Sequence, residues 1–314
     1  MCELDLLTTS KVFGDEKLEF FKTYGVKCAA TDFTLLLGGI VDKDYTSEGE
    51  TLKDRSIDWW LKNKHGTQTI RIISKTGELK LELASLCHTG VRPAIKYSEI
   101  APQITNEILK DSLLEVEYGE YPQTIVQSTI QEELTKRFAE NKLVSTGKSY
   151  TYMDSEIPDE DIYGYFYEKK ELIEYEYQGK KYVQFITNFD YSIKPILSNG
   201  KVKENYTTYW LEVEPIKWLV DKEADIALTK KAVFSGVEFG IENNKSKNFL
   251  NSEIKKFLDE HFAKDIKPSK TRYKKHNETE EKRRGIKVKD INIEKIQEIE
   301  LKREKEERPK VKRK

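Results

Sequence analysis

Few residues in this chain are of a type that does chemistry. Cysteine occurs at Cys2, Cys28 and Cys87 with no CxxC spacing, so neither a zinc knuckle nor a dithiol redox pair is encoded. Cys87 is followed directly by His88. On a strand such neighbours point to opposite faces, so a buried structural thiol is expected rather than a thiolate–imidazole pair. His261 shares helical spacing with Phe257 and Phe262, which marks a packed ring, and His65 in Lys64-His65-Gly66 reads as a loop residue. The acidic runs Asp154-Ser155-Glu156 and Asp159-Glu160-Asp161 lack EF-hand spacing and read as solvated loops. Walker, GxGxxG, GxSxG and HExxH motifs are absent, and Gly38-Gly39 is too short to cradle a phosphate. The expectation is a protein without catalysis, metal or cofactor.

The elements that would position any site follow from apolar periodicity. Asp15 to Tyr24 puts Leu18, Phe21 and Tyr24 on one helical face, ended by Gly25. Ala29 to Leu37 is a buried apolar segment closed by Gly38-Gly39. Leu79, Leu81 and Leu83 alternate strictly, which predicts a hairpin of Thr67–Ser74 with Glu78–Ala84 around Lys75-Thr76-Gly77. Ser128 and Gln131 predict a capping box on a helix running to Lys142, with Ile130, Leu134 and Phe138 facing the core. Leu172 to Phe185 reads as a second hairpin turning at Gln178-Gly179. Tyr209 to Val220 and Ala224 to Val233 read as strands. Asn251 to Ala263 is an amphipathic helix with Ile254, Phe257, Leu258, His261 and Phe262 on its face. Strands interrupted by three short helices make an α+β fold, not a repeating βαβ one.

Composition sets the limits. The chain has 314 residues, 37% hydrophobic and 35% charged, with 17 Tyr, 13 Phe and 4 Trp, too aromatic for a wholly disordered polymer. Three cysteines exclude a disulfide framework, the first residues lack a secretory pattern, and no stretch approaches a membrane span. The expectation is a cytoplasmic protein. Its formal charge of −1 hides an asymmetry. Residues 1–263 carry 34 basic and 44 acidic side chains, whereas residues 264–314 carry 20 basic and 11 acidic with Tyr273 as sole aromatic. A boundary is placed near Ala263, followed by a basic tail, largely disordered or helical, that contains Lys282-Arg283-Arg284.

Six strings carry a resemblance: AATDFTLLLGG (29–39), DWW (58–60), GVRPAIKYSEI (90–100), VEYGEYPQTIV (116–126), LEVEPIKWLVDKEADIALTKK (211–231) and NSEIKKFLDEHF (251–262). Together they resemble a bacterial and phage family without an assigned role, similar to the formylglycine-generating-enzyme-like branch of the C-type-lectin-like fold. The resemblance implies a mixed sheet with short helices over residues 1–263. The motif order is permuted, so 1–100 and 114–263 would be halves of one domain joined through 101–113; two separate lobes are the alternative. The catalytic cysteine pair of the formylglycine-generating enzymes and the EPN- or WND-like calcium motifs are missing, so neither activity transfers.

What the resemblance leaves is a scaffold that displays a binding surface between the WW and GVRPA strings. Lys62, Lys64, Gln68, Arg71 and Ser74 are its alternating polar members. Trp59 and Trp60 should split, one into the core and one outward as a hot spot. A protein partner is expected: a bacterial defence protein blocked by a phage-encoded binder, or an AAA-class ATPase acting in trans. The alternative is nucleic acid held on phosphates by Lys282, Arg283 and Arg284. No membrane partner is expected.

Overall fold

Turn residues place the strands. Among the described residues these are β1 (Leu4–Asp5), β2 (Trp59–His65), β3 (Thr69–Ile73), β4 (Leu79–Leu83), β5 (Ala94–Lys96) and β6 (Asn106–Lys110). They continue with β7 (Leu113–Ile125), β8 (Val144–Glu156), β9 (Phe166–Tyr177), β10 (Lys180–Ile186), β11 (Thr208–Asp221) and β12 (Ile226–Thr229). The helices are short: α1 (Thr9–Phe13), α2 (Glu19–Tyr24), α3 (Asp32–Leu36), α4 (Tyr97–Ile100), α5 (Ser128–Ala139), α6 (Glu253–Phe257) and α7 (Ala263–Asp265). A π-helical turn, Leu258–Phe262, joins the last two. The structure, a computed structural model, describes residues 3–41, 55–66, 68–110, 113–156, 166–187, 195–240 and 249–267.

The fold is α+β, with more helices than the three expected. A large antiparallel sheet runs β1-β5-β12-β11-β10-β9-β8, with β7 on β11 and β6 on β7. β11 organises it. β7 pairs with Leu211–Val220, while β10 takes Thr208–Glu212 and β12 takes Trp218–Asp221. Since a strand has two edges, β10 and β12 share one edge of β11 and β7 holds the other. Pro215, which cannot donate to a ladder, lies where the register shifts between β11 and β7. A second sheet, β2-β3-β4, stands apart in pairing. Strands from 1–100 and from 114–263 share the large sheet: β5 lies between β1 and β12. The interval 101–113 is not a bare joint, because its strand β6 pairs with β7.

The core is aromatic. Phe33, Tyr121, Phe234 and Phe262 are fully buried and pack edge-on or tilted at 5.0–6.4 Å. A smaller cluster of Val126, Leu134, Tyr182 and Trp210 lies beneath α5. There the expected capping box does not form. Gln127, not Ser128, is the N-cap residue, and the Gln131 side chain reaches β11 instead, bonding the Thr208 carbonyl and the Trp210 amide. The described residues up to Lys267 form one compact unit, and residues 268–314 lie outside the described residues. The division falls after Lys267 rather than Ala263 because Ala263 and Ile266 are buried and the Asp265 carboxylate accepts from the Thr151 amide.

Candidate binding surface on the three-stranded sheet

The hairpin β3–β4 forms as its alternation predicts, turning at Thr76-Gly77 with Gly77 at φ 88°. Its two faces differ in an unexpected way. Register pairs Ile73 with Leu79, Arg71 with Leu81 and Thr69 with Leu83, which puts these six side chains on one face. Ile70 and Ile72 occupy the other and are buried. On the first face Ile73, next to the turn, is buried as well, so the open part of that face is the β4 row and Arg71. The three leucines are 39%, 48% and 47% exposed. Arg71, half-buried among them, forms no ion pair among the described residues. Three apolar side chains around an unpaired guanidinium are a surface that excludes water and offers fixed donors.

β4 is also an open edge. Ala84 donates to the Gln68 carbonyl and Ser74 to the Glu78 carbonyl. In an antiparallel ladder this phase turns the amides and carbonyls of residues 78, 80, 82 and 84 towards β3. Those of Leu79, Leu81 and Leu83 therefore point outward. The Leu83 amide is held by Glu82 Oε1 at 2.9 Å. No strand among the described residues pairs with this edge.

The expected split of the tryptophans does not occur. Trp59 and Trp60 do point to opposite faces of β2, but both faces are covered and each residue is 0% exposed. Trp59 stacks on Phe21, carries the Arg92 guanidinium 5.1 Å from its ring and donates its indole N–H to the Val26 carbonyl. Trp60 packs on Phe239. Gly90 permits this crowding: a Cβ there would meet the Ala232 methyl at 2.9 Å. Neither tryptophan is a surface hot spot.

The polar members of the stretch do not converge either. β2 bulges between Trp60 and Lys64. Lys62 turns away, paired with Asp5 at 2.6 Å and lining a cleft of about 310 Å3 beside Ile95 and Ile226. Lys64 pairs with Ile70 and so lies on the face opposite Arg71. Ser74 is buried in the turn, where its hydroxyl accepts from the Glu78 amide. Of the proposed residues, Arg71 alone lies on the exposed face. Lys282, Arg283, Arg284 and the Asp159-Glu160-Asp161 run lie outside the described residues.

Other polar clusters are structural in form. Asp32, fully buried at the start of α3, pairs with Arg55, accepts from the Ile125 and Ser198 amides at 2.9 Å, and accepts the Ser198 hydroxyl. It ties three distant segments together. Glu174, 1% exposed, accepts from Tyr150 and from the Thr146 hydroxyl, with Lys181 at 3.8 Å. The Lys148 ammonium is buried over the Tyr150 ring without a hydrogen-bond partner, and burial pulls its pKa down to about 8. Burial pushes Asp265 up to about 6 and lowers Lys203 to about 7. Lys203 donates to the Leu35 and Leu36 carbonyls and so closes the end of α3. Cys28 and Cys87 are buried thiols, not joined in a disulfide. His261 is half-buried against Phe257, and burial lowers its pKa.

Among the described residues no group of three or more His, Cys, Asp or Glu side chains converges as a metal site requires, and no helix is long and apolar enough to cross a membrane. The leucine row is the feature that residue-type reasoning passed over; its alternation was visible, its outward direction was not. No protein-family model, curated protein or solved structure matches the chain.

Proposed function

We propose that the segment 1–267 is a non-catalytic binding module on a C-type-lectin-like scaffold, and that it recognises a protein partner through the leucine–arginine face of β3 and β4. The observation that carries this reading is the row Leu79, Leu81 and Leu83 around Arg71, apolar surface left open beside a well-filled core. The leucines supply area that a partner would desolvate. Arg71 supplies directional donors that orient it. The excess of acidic side chains in residues 1–263 favours encounter with a basic partner, such as a bacterial defence protein that handles nucleic acid. A phage-encoded blocker fits that role. The permuted scaffold is supported by the way the motif strings meet: Ile95 pairs with Ala227, and Asp32 accepts from Ile125.

The test is affinity purification from the native host with the full chain, repeated with Leu81→Glu and with Arg71→Glu. A single protein retained by the wild type after nuclease treatment, and lost from both variants while their circular dichroism is unchanged, is the expected result. Retention by the variants overturns the reading. Recovery that disappears with nuclease, and with deletion of 268–314, transfers the function to the basic tail and its Lys282, Arg283 and Arg284.

A further inference from the structure

We infer that the open edge of β4 pairs with the same edge of a second copy of this chain, making a two-fold dimer through a continuous six-stranded sheet. This proposal uses the edge of the strand and not its leucine face, so it stands independently of the partner reading above.

The argument begins with hydrogen-bond phase. The residues of β4 whose amides and carbonyls face outward are Leu79, Leu81 and Leu83, the alternate set to those bonded to β3. An antiparallel pair of identical strands must place its two-fold axis at one residue or between two hydrogen-bonded ones. If the axis passes at Leu81, then Leu81 exchanges both hydrogen bonds with its own copy. Leu79 then faces Leu83 of the second chain. The outward groups of Leu79 and Leu81 find partners directly, while those of Leu83 exchange their bonds to Glu82 and to the Leu86 amide for bonds across the two-fold.

Charge selects this register over its neighbours. Strand β4 reads Leu79-Lys80-Leu81-Glu82-Leu83, preceded by Glu78. With the axis at Leu81, Lys80 of each copy lies opposite Glu82 of the other, giving two cross-strand ion pairs. Sliding the axis to Lys80 opposes lysine to lysine and Glu78 to Glu82. Sliding it to Glu82 opposes glutamate to glutamate. Like charges directly opposite are destabilising and opposite charges favourable, so of these three registers only the one at Leu81 is self-complementary. An axis at Leu79 would also pair Lys80 with Glu78, but it sets Leu81 and Leu83 against the turn residues Gly77 and Lys75 and so shortens the ladder. The edge carries no proline and its pairing with β3 shows no register shift, so it lacks two common devices that keep such strands apart. The existing ties at the edge are few: Lys80 pairs with Glu78 at 3.1 Å with both side chains more than half exposed, Glu82 Oε1 holds the Leu83 amide, and the Leu86 amide donates to the Leu83 carbonyl at 3.1 Å. The leucine rows of the two copies then lie side by side on one face.

Sedimentation velocity on the full chain, over a concentration series, reads the dimer. The wild type is expected to shift from monomer to dimer as concentration rises. Lys80→Glu alone opposes glutamate to glutamate twice, and Glu82→Lys alone opposes lysine to lysine twice. Each should weaken dimerisation by about tenfold or more. An equimolar mixture of the two variants restores both ion pairs and should dimerise as a heterodimer. The Lys80→Glu/Glu82→Lys double variant should dimerise by itself. The substituted residues are on the surface, so circular dichroism should not change. A wild type that stays monomeric throughout overturns the proposal. So do single variants that dimerise like wild type, or a mixture that stays monomeric.

Discussion

The β3–β4 and β8–β9 pairs are both antiparallel, and both expose apolar side chains (Leu79, Leu81 and Leu83 on one, Val144 and Ile173 on the other), yet they differ in what their covered faces enclose. β4 leaves three leucines in water. The β8–β9 end encloses Glu174, Tyr150 and the ammonium of Lys148, with Asp265 of α7 docked on Thr151. Coverage, not residue type, makes the difference. The second hairpin lies beneath the chain segment that ends the unit, so its polar groups are dehydrated and must satisfy one another. The first has one face on the core and one free. Breaking the enclosed polar cluster should therefore be costly, whereas the open leucines are the part of the surface that the proposed recognition would use.

The largest test of this contrast is Glu174→Ala. It removes the acceptor for Tyr150 and Thr146 and leaves Lys148 and Lys181 near an empty position. Denaturant unfolding at neutral pH should show a loss of about 3–5 kcal/mol. A loss under about 1 kcal/mol would mean that the cluster is hydrated and the contrast false.

Next in size is the response to pH. Lys203 and Lys148 titrate at about 7 and about 8 in the folded chain, below the usual lysine value. Between those values and the unfolded pKa the unfolded chain binds more protons, so their contribution makes stability rise with pH from neutral to about 10. Asp265 is shifted the other way, to about 6. From about 4 to 6 the folded chain binds more protons, so its contribution makes stability fall as pH rises. Together the three groups place a shallow minimum near pH 6–7, and denaturation midpoints across pH 4–10 read it. In Lys203→Met the alkaline limb should flatten; an unchanged limb would show that Lys203 is not its source.

The smallest effect belongs to the leucine row. Leu81→Thr keeps a strand-favouring residue on an exposed site and should change unfolding free energy by no more than about 0.5 kcal/mol. A larger loss would mean that Leu81 is packed in the isolated chain, and the two hairpins would no longer differ as described.

What could be read in advance was local. The β3–β4 and β9–β10 hairpins and α5 follow from spacing over a few residues, and Gln178 and Gly179 take the positive φ of a two-residue turn. The outward direction of the leucines was not readable, because alternation defines two faces without saying which one the rest of the chain will cover. The same limit explains the tryptophans: they do point apart, but Phe21 and Arg92 cover one side and Phe239 lies on the other. Gln131 looked like a capping partner because its spacing from Ser128 fits, and the carbonyl of Thr208 competed for it from 77 residues away. Asp32 and Ser198 are 166 positions apart, beyond any window of pattern reading.

The position of β5 between β1 and β12 has a consequence for how the chain is made. β1 and β5 emerge early from a ribosome, but the strand that completes their sheet begins at Ile226 and the Ala30 bridge waits for Ala232. Until the later residues arrive, Trp60, which packs on Phe239, and the edge of β5 that takes β12 are uncovered. Loop closures of this span are slow to find, and a nascent chain that holds Trp60 uncovered until Phe239 is made is a natural client for a holding chaperone. Translation speed through the later strands then sets how long that surface stays open, and synonymous codons over residues 114–232 become a lever on yield.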